Sequence, residues 1–165
     1  MFREMRRFQQ LLSPEVSRAI LERGTSGVLA VLGDEGYPYA VPLSYVCRGD
    51  KLYFHCAREG HKMDAVRACP KASFCVIDQD QVVEEEYTTY FRSVIAFGKV
   101  RVLEDEGEKR RAIEELAVKY APLDSAEHRD RVIEREFAQM AILELTMEHL
   151  TGKEAIELGK AKKSN

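Results

Sequence analysis

Apolar positions recur along this chain in two rhythms, one helical and one alternating. Val16, Ile20 and Leu21 fall on one helical face behind Ser13-Pro14-Glu15. That triplet offers a capping hydroxyl, a proline at the first helical position and an acid, so a helix starts there. Gly24 closes it. The rhythm then shortens. Residues 25–32 are small and aliphatic and read as a strand, Gly33-Asp34-Glu35-Gly36 as a turn, and residues 37–46 as the returning strand of a hairpin. Pro38 and Pro42 intrude, as prolines do at sheet edges or at openings in a ladder. Arg48-Gly49-Asp50 turns the chain into a third strand over residues 51–56.

Helical spacing returns between Gly60 and Cys69, carried by Met63 and Val66, and Pro70 stops it. Residues 71–78 alternate as a strand. Residues 79–86 are polar and acidic and read as a connecting loop. A long strand covers residues 88–103, with Gly98 marking a bulge or a sharp bend. Residues 104–120 form a helix with Ile113, Leu116, Ala117 and Tyr120 on one face. Pro122 breaks it, and Ser125 caps a second helix reaching Phe137. The last strand covers residues 140–147, after which the pattern weakens.

This order predicts a mostly β fold with flanking helices. Short hairpins near the start oppose a doubly wound parallel sheet, and six strands interrupted by helices fit a small antiparallel barrel. The 165 residues suit a single domain spanning 1–165, with a core over about residues 12–150 and a frayed tail over 151–165.

Composition narrows the function classes. The net charge of -3 and the interspersed basic residues give no electrostatic footprint for nucleic acid. No apolar run reaches the ~18 residues that span a bilayer, and no apolar stretch follows the charged N-terminus as in a signal peptide. A cytoplasmic protein is expected. Cys47, Cys56, Cys69 and Cys75 lack CxxC spacing and read as free thiols, with no metal site.

The stretch richest in chemistry is Leu52-Tyr53-Phe54-His55-Cys56-Ala57-Arg58-Glu59-Gly60-His61-Lys62. It runs from an apolar strand into a helix start bearing two basic residues. A helix N-terminus offers unpaired N–H groups and the positive end of the dipole, so it suits a phosphate. Gly60 permits close backbone approach, and His61 and Lys62 can add charge-assisted hydrogen bonds. A plain strand-to-helix connection with solvated basic residues is the competing reading.

Three segments together bear on the choice. Gly36-Tyr37-Pro38-Tyr39-Ala40-Val41-Pro42-Leu43-Ser44-Tyr45, the strand ending Phe54-His55-Cys56-Ala57 with Gly60-His61-Lys62, and Phe91-Arg92-Ser93-Val94-Ile95-Ala96-Phe97-Gly98-Lys99 follow one another in the order and spacing of a known family. The chain resembles the FMN-binding split barrel, the superfamily of pyridoxamine 5′-phosphate oxidase, and within it the nitroimidazole-resistance branch. The resemblance implies a six-stranded antiparallel Greek-key barrel that forms a homodimer, with FMN in a cleft between the subunits.

It also implies roles. Val41, Pro42, Leu43 and Ser44 match the strand that contacts the flavin ring. His55 and Cys56 match the strand end beside the ribityl chain. His61 and Lys62 match the basic pair on the phosphate, and Arg92 and Ser93 match a strand start that reaches the flavin across the dimer interface. The oxidase has arginine where this chain has His61, and its C-terminal substrate-binding arginine and histidine motif is missing here. In the nitroimidazole-resistance branch a histidine at the position of His61 is associated with the active site, so the resemblance also implies His61 as the candidate for chemistry. The activity implied is an FMN-dependent oxidoreductase acting on nitroimidazoles or other small oxidants. A flavin carrier or sensor without turnover is one alternative. A haem-binding module with His55 or His61 as axial ligand is the other.

Overall fold

A computed structural model describes residues 1–163, with side chains through Gly159. In chain order the elements are α1 (Pro14–Arg23), β1 (Ser26–Leu32), β2 (Pro38–Ser44), β3 (Val46–Arg48), β4 (Lys51–Ala57), α2 (His61–Ala68), β5 (Lys71–Val83), β6 (Thr88–Val102), α3 (Glu106–Tyr120), α4 (Ala126–Phe137), β7 (Met140–Glu154) and α5 (Ile156–Lys163). The caps expected from sequence form. Ser13 Oγ accepts the Val16 N–H at 3.3 Å, and Ser125 Oγ accepts the His128 N–H at 3.1 Å.

All the strands pair antiparallel in one sheet of order β2-β1-β5-β6-β7-β4-β3. The fold is mostly β with flanking helices, as expected, but it has seven strands rather than six. The extra strand arises at Tyr45. Residues expected as one strand, 37–46, pair with β1 only as far as Ser44, and from Val46 onward the chain pairs with β4. Pro42 does not interrupt anything. It stays in register opposite Val28 on an edge strand, where its missing N–H costs no ladder bond.

This crossing determines the shape of the sheet. Laid flat, seven strands at ~4.8 Å spacing would separate β2 from β3 by roughly 29 Å. Yet Ser44 and Val46 flank a single residue, a span of at most about 7 Å. The sheet must therefore curl until its two hydrogen-bonding edges lie side by side. Tyr45 occupies the junction and is fully buried. Its hydroxyl donates to the Leu21 carbonyl at 2.7 Å, and its N–H donates to the Tyr120 hydroxyl at 2.9 Å. Burial pushes its phenol pKa well up.

Two further expectations are corrected. Residues 79–83 are strand rather than loop, because β5 continues to Val83 past a bulge between Ile77 and Gln79, and the connection expected over 79–86 is confined to a single turn at Glu84–Glu86. The β-branched pairs Val82–Thr89 and Val83–Thr88 favour the ladder despite the acidic composition. The tail is not frayed from residue 151. β7 runs to Glu154 along β6, and residues 156–163 are helical; residues 164–165 lie outside the described residues. The β6–β7 register shifts between Phe97 and Gly98. There a Cβ on Gly98 would sit 2.0 Å from the Thr146 carbonyl oxygen, so this position must be glycine.

The main core fills the inside of the curl, with Ile20, Leu21, Leu29, Phe54, Phe74 and Leu145 fully buried. A second cluster joins Ile113 and Leu116 of α3 and Ile133 of α4 to Val46 and Ile142 on the outer face of the sheet. No described helix is long and apolar enough to cross a membrane.

Candidate functional site

The turn from β4 into α2 carries the site. Gly60 has φ +120 and ψ 170, a conformation open to glycine alone. Its carbonyl accepts the N–H groups of Met63 at 2.8 Å and Asp64 at 3.2 Å. The N–H groups of His61 and Lys62 therefore have no intrahelical acceptor and are available to an outside one. Met63, Ala65 and Val66 are buried and fix the helix in the core. The N-terminus of α2 is thus a rigid edge rather than a loose loop.

Lys62 is half-buried at this edge, close enough to Cys56 for its charge to bear on that thiol. Burial pushes the Cys56 thiol up, and Lys62 pulls the other way to a lesser degree. Cys56 is 9% exposed with its Sγ 3.6 Å from Met63 Sδ, so it behaves as packing rather than as a nucleophile.

His61, the first residue of α2, turns back over the β1–β2 hairpin. Its ring stacks on Tyr39 with centroids 4.1 Å apart. The Asp34 N–H donates to its Nε2 at 3.4 Å, and Asp34 Oδ2 lies 3.7 Å from the same nitrogen. Acceptance at Nε2 leaves the proton of a neutral ring on Nδ1. His61 therefore already has an aromatic and an acidic neighbour, whereas Lys62 makes no ion pair among the described residues. Of the basic pair, Lys62 and the two helix N–H groups are the better fit to a phosphate. Asp34 would repel one next to His61.

The remaining sequence candidates separate. Val41 and Leu43 pack inward against the core with Tyr39, while Pro42 and Ser44 are exposed on the opposite face of β2. His55 is exposed on the outer face of β4, opposite in direction to Cys56. Arg92 lies at the other end of the sheet. It pairs with Gln79, six residues along β5 from Ser73, the partner of Ala30, which is roughly 20 Å at ~3.3 Å per residue. Its Nε donates to Glu154 at 3.1 Å and its Nη1 to Asp78 at 3.3 Å, and Asp78 also holds Arg23 at 2.6 Å. Arg92 thus pairs with Asp78 and Glu154. Ser93 faces outward from β6 beside Ile77.

Sequence reasoning missed Tyr39 and Asp34 as neighbours of His61. Tyr39 could have been found from the alternation Tyr39, Val41, Leu43, which puts it on the inner face. Nothing local signals Asp34, Asp78 or Glu154. Among the described residues no group of histidine, cysteine or acidic side chains could hold a metal ion.

The outer face of β1, β5 and β6 is apolar and open. Val28 is 37%, Leu32 49% and Ile77 65% exposed, and Ser73, Cys75, Ser93 and Ile95 lie between them on the same face. No described element covers this face near Ile77.

Comparison with known proteins gives a family and a fold. A family model described as pyridoxamine 5′-phosphate oxidase matches residues 13–154. No curated protein matches the chain. Solved structures with the same fold include a candidate 5-nitroimidazole antibiotic resistance protein from Bacteroides thetaiotaomicron, 21% identical with TM-score 0.71, over 87% of this chain and 85% of that one. A conserved hypothetical protein of Mycobacterium tuberculosis, Rv2991, is 17% identical with TM-score 0.79, over 94% and 93%. The FAD and heme binding protein of Mycobacterium smegmatis is 23% identical with TM-score 0.72, over 89% and 73%. At these identities the likeness to each structure is one of fold.

Proposed function

The chain belongs to the pyridoxamine 5′-phosphate oxidase family, and from that premise we propose that it is a flavin-binding oxidoreductase. FMN is the flavin, and the working unit is a homodimer with the cofactor between subunits. The observation that carries this reading is the N-terminus of α2. There Gly60 in its positive-φ conformation, the outward N–H groups of His61 and Lys62, and the Lys62 ammonium, which makes no ion pair among the described residues, form a seat of the right charge for one terminal phosphate. The dimer is supported by the distance between candidates. One chain holds His61 and Arg92 at opposite ends of its sheet, so a flavin near both Lys62 and Ser93 needs two copies. The open apolar face gives the second copy a surface.

In this reading Lys62 and the helix N–H groups bind the phosphate, and Val41 to Ser44 present the edge of β2 to the ring. His61, held on Tyr39, can present its Nδ1–H as a hydrogen-bond donor to an oxygen or nitrogen of a substrate when neutral, and as an imidazolium it can pass a proton to that atom and return to the neutral ring. The flavin itself supplies the electrons. The substrates are nitroimidazoles or other small oxidants, and the compartment is the cytoplasm.

A haem-binding reading has one specific support, the exposed ring of His55 on β4 without a described partner. The absorption spectrum of freshly purified protein, with FMN added if it is colourless, separates the two. Flavin bands with quenched fluorescence are expected. A Soret band, or no FMN binding at micromolar protein, rejects the flavin reading. Reoxidation of the dithionite-reduced protein by a nitroimidazole no faster than that of free FMN rejects the enzyme and leaves the carrier.

A further inference from the structure

The β5–β6 hairpin outruns its neighbours. β1 pairs with β5 only between Ser73 and Cys75, and β7 leaves β6 at Arg92–Glu154. The Ala155 N–H still donates to the Phe91 carbonyl at 2.8 Å, and beyond it the pairs Gln81–Tyr90 to Val83–Thr88 have no third strand beside them, roughly 10 Å of ribbon at ~3.4 Å per residue before the turn. A two-stranded ribbon is marginal by itself, and its unpaired edge invites a partner. Residues 79–91 hold no lysine or arginine, while Asp80, Glu84, Glu85 and Glu86 give them four acids. Val82 is 71% and Tyr87 99% exposed, and Tyr87 is held at φ 49, an uncommon conformation for an aromatic residue.

The other end of the same outer face is basic. Lys71 and Lys99 stand directly opposite one another across β5 and β6, an unfavourable like-charge pair. Lys99 reaches Glu148 at 3.5 Å, and Lys71 makes no ion pair among the described residues. Between the two ends lie Ser73–Phe97, Cys75–Ile95 and Ile77–Ser93. Read along the strands, the face is basic, then apolar, then acidic. Ile77 is near its centre, six residues from Lys71 and six from Val83. A face of this kind is complementary to itself when a second copy lies on it antiparallel about a two-fold axis.

We propose that the β5–β6 ribbon is an arm that grips a second copy of this chain, its acidic tip at Glu84–Glu86 seated on the partner's Lys71 and Lys99. The same contact gives the acidic tip a counter-charge and Lys71 a partner, Lys99 already reaching Glu148 within its own chain. The pairing fixes the antiparallel direction, because parallel stacking would set acid on acid and lysine on lysine. This rests on the reading that two copies share the flavin site, and it specifies how they meet.

A charge exchange tests it. One variant carries Glu84→Lys, Glu85→Lys and Glu86→Lys; the other carries Lys71→Glu and Lys99→Glu. Sedimentation velocity, without flavin, measures the dimer dissociation constant. Each variant alone is expected to dimerise at least ~10-fold more weakly than wild type, and an equimolar mixture to return to within ~3-fold of it, since both contacts are then complementary again. Wild-type association should weaken with added salt. Variants that dimerise like wild type, or a mixture without rescue, overturn the arm. Flavin binding by wild type, measured separately, stands or falls on its own. A wild-type chain that stays monomeric at high micromolar concentration overturns both.

Discussion

Replacing Lys62 by alanine removes the ammonium but leaves the backbone N–H groups of α2 in place. A charge-assisted hydrogen bond contributes ~1.5–3 kcal/mol. Lys62 is half-buried, so solvent screening favours the lower part of that range, about 1.5–2 kcal/mol, or roughly 10- to 30-fold in Kd. The loss should fall on FMN and spare riboflavin, which has the same ring and ribityl chain without the phosphate. Titrating each flavin into wild type and Lys62→Ala, followed by flavin fluorescence quenching, gives four dissociation constants. The expected pattern is a 10- to 30-fold rise for FMN, about 2-fold or less for riboflavin, and a smaller FMN effect at high salt. Equal losses for both ligands would mean that Lys62 supports the fold of the pocket rather than the phosphate, and the seat would have to be sought elsewhere.

Gly60→Ala meets open space but an unfavourable backbone conformation, so it should cost about 1–2 kcal/mol and weaken FMN, seen as a drop in Tm together with a raised Kd. Tyr45→Phe leaves the buried Leu21 carbonyl without its hydroxyl donor and should cost about 1–2 kcal/mol in urea unfolding; no change would mean that the carbonyl finds another partner. Glu144, 3% exposed, accepts from Arg101 at 2.8 Å and from Lys51 at 3.0 Å, and these cations hold its carboxyl below the usual range despite burial. Glu144→Gln should destabilise by about 2 kcal/mol at neutral pH, a figure discounted because Lys51 and Arg101 are partly exposed. Since the folded pKa lies below the unfolded ~4.3, the difference should be constant above that value and shrink as pH falls through the folded pKa. A difference that persisted at pH 2 would assign the loss to packing instead.

Local chemistry made part of this structure legible. The caps Ser13 and Ser125, the first hairpin and the start of α2 all rest on residues within a few positions of each other, and the structure has each of them. What could not be read depends on distant partners. Tyr45 has good strand chemistry on both sides, and only the sheet order makes it a crossing point. Residues 79–83 look like a loop by polarity and become a strand because Thr88 and Thr89 return beside them. The site divides in the same way. The adjacency of Gly60, His61 and Lys62 is visible in the sequence, but the stacking of His61 on Tyr39 depends on how α2 lies against β2. Arg92 finds Glu154 across 62 residues, which no local motif announces.

The single-residue link at Tyr45 also bears on when the molecule can form. The β1–β2 and β3–β4 hairpins are local and can close within microseconds. They become parts of one sheet only when β4 meets β7, a contact such as Lys51–Glu144 that spans 93 residues. Until that late pairing forms, Tyr45 is a swivel between two independent ribbons and its hydroxyl has no settled place. Burial of Tyr45 should therefore mark the final step, and the part of the tyrosine fluorescence change that Tyr45→Phe removes should fall in the slowest refolding phase.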